Sequence, residues 1–132
     1  MAERTIPIRS VGDVVEARSA ARTMAEAIGF MGTDLVLIAT AVSEVTRNIV
    51  EYAGHGEVRL LAMQGNGRRG LVITARDEGP GIEDVGRAMQ IGFSTSRGLG
   101  LGLPGAKRLM DDFEIVSRLG RGTTITMRKW LA

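Results

Sequence analysis

At 132 residues, 44% of them hydrophobic and 24% charged, the chain has the make-up of one globular domain, residues 1–132, with a single core. Zero cysteines exclude disulfides and thiolate metal sites, and with only 4% aromatic residues the core has to come from Ile, Leu, Val, Met and Ala. A net charge of +2 with no basic stripe argues against a nucleic-acid partner, and the lack of an apolar leader or membrane-length run argues against a membrane. The expectation is a soluble, cytoplasmic protein.

Thr5-Ile6-Pro7-Ile8 reads as a short strand that Pro7 confines to a sheet edge. Val14, Ala17, Ala21, Met24 and Ile28 then recur at helical spacing, with Asp13 as the expected N-cap and Gly29 as the stop. A second helix is predicted from Asp34 to Ala53, capped by Thr33 or Asp34. Its buried stripe is Leu35, Ile38, Val42, Val45, Ile49 and Tyr52. Glu57 to Gln64 and Gly70 to Arg76 alternate as two strands about the hairpin turn Gly65-Asn66-Gly67.

After Asp77-Glu78-Gly79-Pro80-Gly81 come a short helix over Glu83–Gln90 and a polar stretch over Gly92–Arg97. A glycine-leucine run follows, then a helix over Leu103–Asp111. Phe113–Arg118 and Thr123–Lys129 close the chain as strands about Gly120-Arg121-Gly122. No β-α-β alternation recurs, so the fold class expected is an α/β two-layer sandwich: a mixed, mainly antiparallel sheet with its helices on one face.

Three segments could carry chemistry. Glu44 and Asn48 lie four residues apart on one helical face, with Cβ atoms about 5–6 Å apart. There a carboxylate can take a proton and an amide oxygen can help hold Mg²⁺. A solvated face with Glu44 paired to Arg47 is the plainer alternative, and the helix alone does not choose.

Asp77 to Gly81 ends a hydrophobic strand. It is either a turn or the floor of a pocket, where Asp77 accepts a hydrogen bond from an exocyclic amine such as adenine's.

Gly98-Leu99-Gly100-Leu101-Gly102, leading into Pro104 at a helix start, suits backbone passing close to phosphate. Gly100, Gly102 and Gly105 also satisfy G-x-G-x-x-G. However, Phe93-Ser94-Thr95-Ser96-Arg97 is too polar for the buried strand that a dinucleotide fingerprint requires, and no G-x-x-x-x-G-K-[ST] occurs.

Taken in that order, the three segments resemble the boxes of the GHKL family of ATP-binding domains, which includes gyrase, MutL and the sensor histidine kinases. Glu44 to Asn48 is similar to the N box, Asp77 to Gly81 to the G1 box and Gly98 to Gly102 to the G2 box. Gly122-Thr123-Thr124 is similar to the late Gly-Thr element. The resemblance spans the chain and implies the Bergerat fold.

Within the family, 132 residues leave no room for the transducing domains of gyrase and MutL. The single histidine, His55, sits in a Gly-His-Gly turn rather than on a phosphoacceptor helix. What remains is the stand-alone serine/threonine kinase branch that regulates sigma factors. Gly92 to Ser96, Gly102 to Asp111 and Lys129-Trp130-Leu131 resemble its stressosome switch-kinase type.

This resemblance implies a serine/threonine kinase using ATP and Mg²⁺. In it Glu44 would orient the acceptor hydroxyl and Asn48 would ligate the metal. Asp77 would fix adenine, with Gly79, Gly81 and Thr123 shaping that end. Gly98, Gly100 and Gly102, with Leu99 and Leu101 between them, would line the triphosphate. The polar stretch Gly92–Arg97 reads as a short lid: Ser94 and Thr95 would contact phosphate or simply keep the loop soluble, and Arg97 would neutralise charge on the γ-phosphate or stay solvated.

The partners implied are a STAS-domain stressosome scaffold as substrate and a PP2C-type phosphatase that the kinase activates on release. Two further readings stand beside it: an ATP-controlled binding switch with little transfer activity, and an anti-sigma factor that sequesters a sigma subunit.

Overall fold

The computed structural model describes residues 2–81 and 102–131, so the short helix expected over Glu83–Gln90 and the lid stretch Gly92–Arg97 lie outside the described residues. Among the described residues the elements run β1 (Glu3–Ile8), α1 (Val11–Ile28), α2 (Thr33–Tyr52), β2 (Gly56–Gly65), β3 (Arg68–Asp77), α3 (Leu103–Leu109), β4 (Asp112–Arg118) and β5 (Gly122–Trp130). The strands form one sheet in the order β1-β2-β3-β5-β4. Every pairing is antiparallel, so the mixed character allowed for is absent from the described sheet. Pro7 lies on β1 at the sheet edge, where its missing N–H removes no interior ladder bond.

Strand alternation gives the sheet two unlike faces. Ile6, Ile8, Val58, Leu60, Leu71, Ile73, Ala75, Ile125 and Met127 point one way and are buried beneath α1 and α2, while Thr5, Arg59 and Arg76 point the other way and are exposed. Val14, Ala17, Ala21, Ala25 and Ile28 of α1 and Leu35, Ile38, Val42, Val45 and Ile49 of α2 close this core. Phe30 joins the aliphatic set that composition predicted. Each large aliphatic side chain so buried contributes about 1.5–3 kcal/mol.

Several boundaries differ from the sequence reading. Ser10, not Asp13, is the N-cap of α1; Asp13 sits one turn in, where its carboxylate accepts the Arg9 N–H at 2.8 Å. An acid there also complements the helix dipole. Neither Thr33 nor Asp34 caps α2: Gly32, at φ 60°, makes the entry and Thr33 is already helical. Tyr52 continues the apolar spacing but is half exposed, because the core ends at Ile49. The hairpin turn is a two-residue one, Asn66-Gly67, with φ of 53° and 76°, the paired positive values that match strand twist. Helix α3 stops at Leu109, short of Asp111, since Met110 is extended at ψ 159° and hands the chain to β4. Lys129 Nζ, reaching from β5, donates to the carbonyl of Leu109 at 3.1 Å.

Candidate functional site

Helix α2 is the spine of the site. Its hydroxyls Ser43 and Thr46 are buried and turn back on the helix, donating to Ala39 O at 3.0 Å and Val42 O at 2.7 Å. Bonded within the helix in this way, they leave Glu44 as the buried polar group that needs partners from elsewhere.

Glu44 is 5% exposed, so it is not on a solvated face, although the pairing with Arg47 that the plainer alternative expected is present. Arg47, one turn on, approaches its Oε2 at 3.4 Å, long for a charge-assisted bond. The backbone of Gly102, the last glycine of the loop motif, lies close enough to that carboxylate to draw its pKa down. Burial pushes the Glu44 carboxyl above the usual carboxylate range. The Arg47 guanidinium and the Gly102 N–H draw it part of the way back, and Glu51 adds to the rise. A carboxylate lifted by desolvation and set beside one cation is the kind of group found at functional sites.

Asn48 is half-buried one turn further along, and Ala53 ends the helix roughly 13 Å from Glu44 at 1.5 Å per residue. There α2 meets the sheet end. Gly79 packs against Ala53, where a Cβ would lie 2.8 Å from the Ala53 Cα. Its N–H donates to Asp77 Oδ1 at 2.9 Å, closing an Asx-type turn that holds the buried carboxylate.

Asp77 stands in a row crossing four strands, since Gly56 pairs with Asp77, Asp77 with Thr123 and Thr123 with Ser117. All four positions share the helix-facing side of the sheet. Thr123 is 4% exposed, and its Oγ1 lies 2.8 Å from Ser117 Oγ. Gly122, at φ 114°, lets the two strands close: a Cβ there would fall 2.1 Å from Asp77 O. Gly81 packs beneath the β4–β5 turn, with its Cβ position 2.4 Å from Arg118 O. An open polar depression of about 320 Å³, lined by His55, Gly56, Glu57, Arg76, Asp77 and Glu78, wraps the same sheet end.

The predicted residues thus fall into two groups bridged by α2. Glu44 and Asn48 share one stretch of α2, with Gly102 near Glu44, while Asp77, Gly79, Gly81 and Thr123 cluster at the sheet end that α2 meets through Gly79 and Ala53. Ser94, Thr95, Arg97, Gly98, Leu99, Gly100 and Leu101 lie outside the described residues. Arg47 and Ser117 were not among the sequence candidates as site residues. Arg47 read as an ordinary i,i+3 ion-pair partner, and Ser117 as one more polar position in a strand. The clue to Ser117 was its place at the inward end of the alternation Phe113, Ile115, Ser117.

The family model for the histidine kinase-like ATPase domain matches residues 9–129. The serine/threonine-protein kinase RsbT of Bacillus subtilis (strain 168) is 48% identical over 126 residues, covering 96% of this chain and 95% of that protein. The anti-sigma F factor of Thermoanaerobacter sp. (strain X514) is 32% identical over 99 residues, 71% of this chain and 68% of its own length. Among solved structures, the RsbU and RsbW domains of a Mycobacterium tuberculosis protein superpose with a TM-score of 0.65 at 19% identity, covering 100% of this chain and 34% of that one.

Proposed function

The chain belongs to the histidine kinase-like ATPase domain family and is a protein serine/threonine kinase; from that premise we propose that it transfers the γ-phosphate of ATP to a serine or threonine of a STAS-domain scaffold protein in the cytoplasm. In the same proposal, release from that scaffold frees the kinase to bind and activate a PP2C-type phosphatase in a sigma-factor stress pathway. The observation that supports the transfer step is Glu44: buried, lifted in pKa by that burial, and set beside Arg47 and the backbone of Gly102.

In this reading the nucleotide lies along α2. Asp77 Oδ2 accepts the exocyclic amine of adenine, because Oδ1 is already taken by Gly79. At the far end Glu44 receives the proton of the acceptor hydroxyl as that oxygen bonds to the γ-phosphorus and the bridge to ADP breaks. Such a transfer depends mostly on positioning and charge, so one well-placed carboxylate suffices on the protein side. The residue types of the Gly98–Gly102 run suit backbone N–H contacts to the triphosphate, and Ser94, Thr95 and Arg97 offer hydroxyls and a cation to the phosphates.

Magnesium, when bound, neutralises charge across the phosphates. Among the described residues no group of three His, Asp or Glu could cage a metal. The Asn48 amide oxygen suits a hard cation that takes its other ligands from phosphate and water.

The test is incubation with γ-labelled ATP, Mg²⁺ and a purified STAS-domain protein. Label on a serine or threonine of that protein is the expected result; label found only in inorganic phosphate overturns the proposal. A second reading, an anti-sigma factor, is favoured by the similarity to anti-sigma F factors. Stable co-purification with a sigma subunit instead of a STAS protein would select it.

A further inference from the structure

The hydroxyl pair at the end of the polar row has a consequence for which purine the site accepts, resting on the nucleotide reading above. Thr123 Oγ1 has one proton and two lone pairs. Its 2.8 Å contact with Ser117 Oγ ties down one of these, and either oxygen can donate across it. A second acceptor for the serine proton is the carbonyl of Gly122, 3.4 Å from Ser117 Oγ. When Ser117 donates there, Thr123 must donate to Ser117, and Thr123 Oγ1 then presents only lone pairs along the row toward Asp77.

The neighbouring group is also an acceptor. Asp77 is the direct cross-strand partner of Thr123, at a position whose Cβ lies about 4.5–5.5 Å away on the same face. One of its oxygens already holds the Gly79 N–H, and the other has no hydrogen bond among the described residues. Two acceptors side by side complement an amine, which brings two N–H groups, and repel a carbonyl, which brings none. Adenine carries an amine at the position where guanine carries a carbonyl oxygen.

We propose that Ser117 is a positioning residue which, by fixing the direction of the Thr123 hydroxyl, makes the purine site select an exocyclic amine over a carbonyl. It touches Thr123 rather than the nucleotide. Without it the threonine hydroxyl can turn its proton into the site and pair with a carbonyl, which narrows the preference for an amine.

The experiment measures the dissociation constants of ATP and GTP for the full chain and for Ser117→Ala and Ser117→Thr, with thermal unfolding of each variant recorded alongside. Loss of one neutral hydrogen bond is worth about fivefold, so the ATP-over-GTP preference of Ser117→Ala should fall by about that factor. Ser117→Thr, which keeps the hydroxyl, should retain the wild-type ratio. An unchanged ratio in Ser117→Ala overturns the assignment of Ser117 while leaving the nucleotide site standing. A fall in ATP and GTP affinity by the same factor overturns it too, showing a structural role only. Failure of the wild-type chain to bind either nucleotide overturns the nucleotide reading itself, and this inference with it.

Discussion

Glu44 and Asp77 are both buried carboxylates, 5% and 8% exposed, but their neighbours differ in kind. Around Glu44 are charges, with Arg47 beside it and Glu51 close enough to raise its pKa. The groups that hold Asp77 from within are neutral, namely the Gly79 N–H, the Thr123 and Ser117 hydroxyls in its row, and glycines that bring backbone close, with Glu57, Arg76 and Glu78 on the rim of the depression outside. A neutral hydrogen-bonding frame reads a neutral base edge by direction. A charged frame in a dry position handles a proton and a phosphate. One helix, α2, holds the two frames a fixed distance apart, so recognition and transfer should be separable by mutation.

The largest effect expected is at the charged end. Glu44→Gln keeps the side-chain volume and an acceptor oxygen but removes the base of the proposed transfer. Transfer to the acceptor protein should drop by about 10² or more, with ATP affinity within about threefold; single-turnover labelling and equilibrium binding report the two. The same variant carries a stability test. Burial raises the folded-state pKa of Glu44, so the folded chain holds that proton more tightly than the unfolded chain. Its contribution is therefore present at low pH and lost as pH rises from the ordinary carboxylate pKa through the raised one. Glu44→Gln should be at least as stable as wild type at neutral pH by denaturant unfolding, and less pH-dependent across that window.

Asp77→Asn sharpens the comparison from the other side. Replacing the acceptor oxygen by an amide that also donates should weaken ATP binding by about tenfold or more. Transfer at saturating ATP should remain close to wild type, as rate against ATP concentration will show. Equal loss of affinity and of saturated rate in both variants would dissolve the distinction drawn here.

A backbone change tests the frame itself. Gly122→Ala forces a Cβ into Asp77 O at a φ of 114°, and should cost about 2 kcal/mol or more in urea unfolding. The loss in nucleotide affinity should exceed any loss in saturated rate. Arg47→Gln should have the smallest effect. Without the cation the Glu44 carboxyl moves further up, so the acid limb of the pH–rate profile should shift toward neutral pH while the alkaline side stays in place.

Much of this was legible in the sequence, for reasons that differ by element. The periodic stripe of α2 from Leu35 to Ile49 and the glycine-asparagine hairpin turn are local patterns; the stripe is buried as far as Ile49, and the turn is one residue shorter than the Gly65-Asn66-Gly67 expected. Caps were less legible: Ser10 and Gly32 take the N-cap positions that the nearby acids and threonine also suit, and only backbone angles separate them. Asp77 and Thr123 were visible as members of two separate boxes. That they stand opposite one another depends on β5 inserting between β3 and β4, a crossover that no local signal encodes. Ser117 and Arg47 escaped for the same reason. A serine in a strand and an arginine three residues after a glutamate are commonplace until burial and register show what they touch.

The account's central claim is that one nucleotide spans α2 from the Asp77 row to Glu44, and backbone amide chemical-shift mapping with ATP cut into its halves tests it most directly. Adenosine should perturb Gly56, Asp77 and Thr123; tripolyphosphate with Mg²⁺ should perturb Asn48 and Gly102; ATP should perturb both sets. If adenosine perturbs residues around Glu44 instead, or if ATP leaves either set untouched, the two groups do not form one cleft and the account is contradicted.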